Sequence, residues 1–483
     1  MEQVTVEIGE FLPDKQEYGL SVFANNCIPQ GGIYRELRSQ QAVTMTGLTS
    51  RCLGGIVTKS KSGSSYTYVG DSARLYSIAG DTITQLNSGY TASPNWEFIE
   101  FGDNVVAVNG WTDAPQSIVK GGVSFAALAG SPPKARHIAV VRDFVVMGNI
   151  HDGTEKPNFV RWSGLGNQTQ WTIGTNQADE QEIPSGGHVM KVVGGEYGTV
   201  LLENAVQRMT YVGTPLIFQF DEVDSRNGLY GVNSVVKVGS VIYYLGKDGF
   251  YANGGSQSQS ISAERVSRWF FDNVDTAAIN DVIGAYDPVK RVIFWLFKSV
   301  AAPSTIPDRA LIYSPESNRF VPADIAAEWA IESASSGISM DSLTQIQGTL
   351  VMDDVVLSMD DPSLQGGQIF MGFFDSAHRQ TQLTGPALEA TLETPEKDFV
   401  NIGRSFIKGV RPRVEGAGGV TVSLGTRNDG SAESYTAFTN TNSRTGYANF
   451  RARARYARAR FKITGGFTSF YAADFLVTGG GNL

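Results

Sequence analysis

This chain has few of the residues that most binding and catalytic chemistries require. It has 483 residues but only two cysteines, Cys27 and Cys52, too few for a disulfide framework or a thiolate zinc site. Its four histidines, His137, His151, His188 and His378, are scattered. No pair has the i, i+4 spacing of a helical metal site, and no carboxylate or thiol stands at ligand spacing beside them. There is no G-x-S-x-G elbow, no P-loop and no dinucleotide-binding glycine set, so the expectation is a non-enzymatic protein with no cofactor and no metal. No apolar run reaches the 18 residues that a membrane helix needs. The start, MEQVTVEIGEF, has neither a basic n-region nor an apolar h-region, which predicts no signal peptide and synthesis in a reducing compartment. Charge is also scarce, at 18% of residues against the usual quarter. Such a chain must bury much of its surface, and contacts with other subunits are one way to do so.

Aromatic residues and glycine are plentiful, at 11% and 54 residues. Aromatics favour strands, and glycine supplies the positive φ of tight turns. The two combine in a recurring unit of apolar run, tight turn and second apolar run. It occurs at Tyr66–Val69 and Leu75–Ile78, at Phe98–Phe101 and Val105–Val108, and at Ile138–Val141 and Phe144–Met147. It returns at Val189–Val193 and Thr199–Leu202, at Val235–Val238 and Val241–Leu245, and at Val282–Tyr286 and Val292–Phe297. Measured from Gly70, Gly102, Arg142, Gly195, Gly239 and Asp287, the steps are 32, 40, 53, 44 and 48 residues. A hairpin cannot cover both of its own faces, and units of this period most often stack as blades of a β-propeller.

The predicted fold is all-β, a β-propeller-like body with a C-terminal β-sandwich of jelly-roll type. Residues 1–50 read as an extended N-terminal arm. Alternation at Val4, Val6 and Ile8 predicts a strand pairing with something distant, and strand exchange with a neighbouring subunit or an adaptor ring is one use for it. Residues 51–325 read as the propeller body, with Trp162 and Trp171 bracketing an ordered loop. Residues 326–397 read as the last blade, a closing segment or a separate small sheet. Residues 398–483 alternate as a sandwich would. The best helix candidate is Ser262–Asp272, with Ser262 as N-cap. Net charge is uneven: residues 398–483 carry 12 Lys and Arg against 5 Asp and Glu, and residues 1–397 carry 27 against 43. A basic module of net +7 thus sits on a body of net −16, a distribution suited to nucleic acid, a membrane surface or an acidic protein partner.

The strongest charge feature is Arg451, Arg453, Arg455, Arg458, Arg460 and Lys462. Period-two alternation puts the first three on one strand face. The phase slips across Tyr456-Ala457, and the last three share a face again. These residues are candidate contacts to a protein partner or to DNA phosphates, where the planar guanidinium bonds bidentately. The bland alternative is the solvated face of an edge strand guarded by charge. Asp248-Gly249-Phe250-Tyr251 reads as a hairpin turn leading into core aromatics rather than a ligand loop. The pairs Asp353-Asp354 and Asp360-Asp361 read as turns rather than as an acid/base or cation site, since adjacent strand residues point to opposite faces.

From Trp162 to Phe297 the segments RWSGLGNQTQWT, GGHVMKVVGGEYGTVLLENAVQRMTYVGTPLIFQFDEV, GVNSVVKVGSVIYYLGKDGFYANGG, ERVSRWFFDNV and VIGAYDPVKRVIFWLF follow one another. This order resembles the tail nozzle, or tail-hub, proteins of short-tailed bacteriophages, and is similar to their packaged-DNA stabilisation proteins. The resemblance implies a virion tail component, assembled in the bacterial cytoplasm as a homo-hexameric ring that extends the portal and adaptor channel. It implies retention of packaged double-stranded DNA and its conduction on ejection. The implied partners are portal and adaptor proteins, tail fibres or tailspikes, and the host outer membrane. A basic lumen would retard DNA by counterion release, so the basic module is expected outside the conduit. The alternative reading is a glycan-binding or glycan-cleaving tail protein used in host attachment, and a third is a propeller enzyme or scaffold unrelated to phage.

Overall fold

A computed structural model describes residues 2–15, 23–61, 63–334, 369–400 and 403–479. The chain is all-β, a propeller-like body joined to a sandwich. Among the described residues, seven four-stranded antiparallel sheets make up the body. Blade one is Gly55–Lys59, Ser65–Gly70, Arg74–Ala79 and Thr82–Ser88. Blades two to six follow as consecutive four-strand meanders over residues 97–127, 134–182, 189–224, 236–260 and 283–323. The first strand of blade two packs on those of blades one and three, and the ring closes where Trp329–Ala334 packs on Gly55–Lys59.

Each predicted hairpin lies within one blade. Five of them are the first and second strands, whereas Tyr66–Val69 and Leu75–Ile78 fall on the second and third strands of blade one. The turns follow from local chemistry: Gly102 and Gly239 both stand at φ +60° between paired strands, where a side chain would be strained.

The seventh blade is assembled from distant pieces. Trp329–Ala334, Ile369–Phe374 and Gln380–Gln382 supply three strands, and Gln41–Ala42 supplies the fourth by pairing Ala42 with Thr381. Both ends of the body are therefore sewn into one sheet. Segment 326–397 divides, since Ala390–Glu393 and Lys397–Asp398 join the sandwich. Asp353-Asp354 and Asp360-Asp361 lie outside the described residues.

One sandwich sheet runs Cys27–Gln30, Ile33–Glu36, Ser469–Gly479, Ser405–Glu415, Ala448–Ala454, with Glu2–Glu7 alongside Ser469–Gly479. The other runs Ala24–Asn25, Ala390–Glu393, Tyr456–Thr464, Gly419–Arg427, Ser434–Tyr435. Val410, Val422, Leu424, Phe461, Phe470 and Phe475 fill the space between them. The first strand of the N-terminal segment pairs with a distant strand, as the alternation at Val4 and Val6 predicts, and that strand belongs to the same chain. Thr5 Oγ1 donates to the Asp474 carboxylate at 2.7 Å, which also takes Arg411 at 2.7 Å and Arg413 at 2.9 Å. Burial opposes ionisation of Asp474, but the bonds from Arg411, Thr5 and Arg413 outweigh it and hold the carboxyl below its usual range. Asp474→Asn is expected to cost about 2 kcal/mol at neutral pH, the worth of hydrogen bonds to a charged group. Urea melts would measure it, with faster amide exchange in Glu2–Glu7 as the local sign.

The sandwich docks on blade six. Asn26 donates its backbone N–H to Pro322 O at 3.1 Å and accepts from Asp324 N at 2.8 Å. Cys27 and Tyr34 share one buried cluster with Trp295, Phe320 and the sandwich interior, so body and sandwich have a common core. Cys27 and Cys52 are free and buried.

The helix is shorter than its sequence predicts, spanning Ser267–Asn273 with Val266 at its N-cap. Ser262 is occupied elsewhere: its Oγ accepts from Phe250 N at 2.7 Å and pairs with Ser267 Oγ at 2.8 Å. Glu264 then takes a left-handed φ of +57°, which interrupts any helix through it. The first turn is capped from far away, by Asp14, whose carboxylate accepts from Arg268 N at 2.7 Å and Trp269 N at 2.9 Å. No helix among the described residues is long and apolar enough to cross a membrane.

Candidate interaction surface and the axial cavity

The six basic residues do not form one patch. Arg451 and Arg453 project from Ala448–Ala454, which among the described residues is an edge strand, paired with Ser405–Glu415 through the register Phe406–Arg453. Arg455 lies past the end of that strand, where the chain crosses to the other sheet. It bonds Asp429 and approaches Asp398 at 3.4 Å. Arg458, Arg460 and Lys462 share one face of Tyr456–Thr464, while Ala457, Ala459, Phe461 and Ile463 on the opposite face are buried. The slip across Tyr456-Ala457 is thus a change of sheet.

Most of this charge is neutralised within the sandwich. Arg458 Nε lies 2.7 Å from Glu433, Arg460 3.4 Å from Glu393, and Lys462 2.9 Å from Glu389. Glu393 also accepts the Tyr435 hydroxyl, and the Arg460 guanidinium stacks 4.3 Å over the Tyr435 ring. Burial pushes the Glu433 carboxyl up against the pull of Arg458, and Glu393 adds to the rise. Sequence reasoning missed Glu389, Glu393 and Glu433 because none of them adjoins the basic run. By contrast, Arg451 is exposed and has no ion pair among the described residues. Arg451→Glu should leave stability within about 0.5 kcal/mol, whereas Arg458→Ala should cost about 1–3 kcal/mol by taking the cation from half-buried Glu433 and one of the partners of buried Glu393. Parallel thermal melts of the two variants check this, and equal losses would sink the division.

A second constellation lies on the ring axis. A cavity of about 240 Å³ is lined by Gly55, Glu97, Ile138, Lys191, Ile283 and Trp329 from six of the blades, and by Asn233 and Val235 just before blade five. Glu97, buried, receives Lys191 Nζ at 2.8 Å and shares a 2.8 Å hydrogen bond with His137 Nδ1, while its other oxygen accepts from Ile138 N at 3.2 Å. Burial opposes the charge on Glu97, but Lys191 and His137 overcome it and bring the carboxyl to about 2. Both oxygens of Glu97 are engaged, so the group ties blades two, three and four together. A cavity this small cannot pass a duplex, whose major groove alone is about 12 Å wide.

The remaining candidates have structural roles. Gly249, at φ +149°, forms the turn before buried Phe250 and Tyr251, and a Cβ there would meet Ser267 Oγ at 2.4 Å. His378 Nδ1 lies 2.8 Å from buried Glu328, which also accepts from Cys52 N at 3.4 Å. His151 is half-buried, its ring centroid 6.1 Å from that of Trp111, and His188 is exposed, 3.4 Å from Glu203. Among the described residues no three His, Cys, Asp or Glu side chains group as metal ligands.

No protein-family model matches this sequence, and no curated protein matches it. Among solved structures, the chain is similar to the extracellular domain of a protein from B. thetaiotaomicron described as a hybrid two component system. The TM-score is 0.41 at 10% identity, covering 86% of this chain and 47% of that one. A second structure of that protein's extracellular domain, there described as a one component system, gives a TM-score of 0.39 at 11% identity, covering 58% and 34%. The chain therefore spans less than half the length of either.

Proposed function

We propose that this chain is a structural virion component, a tail nozzle subunit that assembles as a ring beneath the portal and adaptor, retains packaged DNA and conducts it during ejection. The observation that supports this reading most is the ordered run of segments from Trp162 to Phe297 that resembles tail-hub proteins, which here occupies the end of blade three through the second strand of blade six. The resemblance is therefore carried by the repeating body and not by one loop.

In this reading the conduit is formed between subunits, because the axis of a single body holds only about 240 Å³ and is crossed by the Glu97 clamp. The acid-rich segment 1–397, at 27 basic against 43 acidic residues, suits a wall that DNA must slide past without sticking. Arg451 and its exposed neighbour Arg453 are the outward cations of the edge strand and serve as contacts to adaptor, fibre or spike proteins, with six copies in the ring. Cryo-electron microscopy of intact particles, beside mass photometry of the purified chain, tests this. A ring of copies on the portal axis is the expected result. Copies only at the periphery would overturn it in favour of a glycan-directed attachment role.

A further inference from the structure

A cleft of about 710 Å³ opens where the sandwich meets blade six. Its sandwich wall carries Arg35 and Glu36, with Arg38 just beyond, and its blade wall carries Val289 and Lys290 from the turn between Ile283–Asp287 and Val292–Phe297. Three cations therefore face one lining carboxylate. Arg38 Nε bonds Glu36 at 2.8 Å. Lys290 Nζ stands 3.8 Å from Asp287, whose other oxygen is taken by the N–H groups of Val289 and Lys290 at 2.9 and 3.0 Å. Arg35 is exposed and has no ion pair among the described residues. Burial lowers the pKa of Lys290 against the pull of Asp287; Arg38 adds to the lowering and Glu36 opposes it.

Glycines keep the rim open. A Cβ at Gly466 would lie 2.5 Å from Glu36 Oε2, and one at Gly416, where φ is +72°, would lie 2.9 Å from Thr468 Oγ1. Glycine here lets the backbone come close to whatever enters.

We propose that this cleft binds a compact, multiply charged phosphate-bearing anion, held by Arg35 and Arg38 from the sandwich and Lys290 from blade six. The volume lies within the range of small-molecule sites. Guanidinium groups bond phosphate oxygens bidentately, and the ammonium supplies a point charge. A long polyanion is disfavoured, because it would also meet the rest of segment 1–397, which carries net −16, whereas a compact anion sees mainly the local cations at physiological screening. The bound anion would bridge two modules and stiffen their junction.

The test uses the full chain and pyrophosphate, titrated by calorimetry at constant ionic strength, with thermal melts alongside. Saturable binding and a melting point that rises with pyrophosphate are expected. Arg35→Ala should weaken affinity roughly 10-fold or more, since hydrogen bonds to charged groups are at stake. Glu36→Gln should tighten it several-fold by removing the opposing carboxylate, a gain that misfolding cannot imitate. No saturable heat at millimolar pyrophosphate would overturn the proposal, as would equal affinity in wild type and Arg35→Ala. A short DNA duplex that binds more tightly than pyrophosphate, and binds Arg35→Ala as well, would overturn it in favour of nucleic acid.

Discussion

Glu97→Ala is expected to destabilise the protein by about 3–5 kcal/mol at neutral pH, the range seen when one partner of a buried ion pair is removed. The size follows from what the carboxylate holds. His137 is itself buried and loses its Nδ1 partner, Lys191 loses its counter-ion, and Ile138 N–H loses its acceptor. Three blades contribute these groups, so the loss is felt at the ring centre and not at one edge. The pH dependence has a definite sign. The folded-state pKa is depressed to about 2 from an ordinary value of 4.5. The stabilisation is therefore complete above about pH 4.5 and fades as pH falls toward 2. The difference between wild type and variant in urea melts should accordingly shrink over that interval. A loss under about 1 kcal/mol at pH 7 would mean that water already satisfies these groups.

Trp295→Ala should be comparably severe, at about 3–5 kcal/mol, because the vacated volume cannot collapse. Trp295 is fully buried in the second strand of blade six. Its ring centroid lies 4.3 Å from that of Phe250 in blade five, and its indole N–H donates to Ser234 O at 2.9 Å. One side chain thus fills the seam between two blades and satisfies a backbone carbonyl there. Trp295→Phe retains most of the volume but orphans that carbonyl, so a smaller loss of about 1–2 kcal/mol is expected. Equilibrium unfolding followed by far-UV circular dichroism separates the two variants. Equal losses would show that the hydrogen bond, and not the volume, carries the effect.

The hairpins of blades one to six were legible in sequence because each is local: a turn residue, two short apolar runs and a contact order of a few residues. The seventh blade was not, because its fourth strand, Gln41–Ala42, comes from the other end of the body. Nor was the capping of Arg268 and Trp269 by Asp14, which is 254 and 255 positions away. Ser262 has the chemistry of an N-cap, and tertiary contacts with Phe250 and Ser267 claimed its hydroxyl first. The basic run was visible as charge, but its acidic partners are separated from it along the chain. Glu97, His137 and Lys191 lie 40 and 94 positions apart and share no motif, so only the ring brings them together.

The pairing of Glu2–Glu7 with Ala472–Val477 bears on how the chain is made. Thr5 and Asp474 are 469 positions apart, so the first strand leaves the ribosome long before its partner exists. At 5–20 residues per second the wait is roughly 20–90 s. During that time blades one to six can fold as local hairpins, while the first strand keeps an open hydrogen-bonding edge. Translation order thus makes the sandwich and the seventh blade the last parts to form. It also leaves the early strand open to the wrong partner, another nascent copy of the same chain, for most of its synthesis.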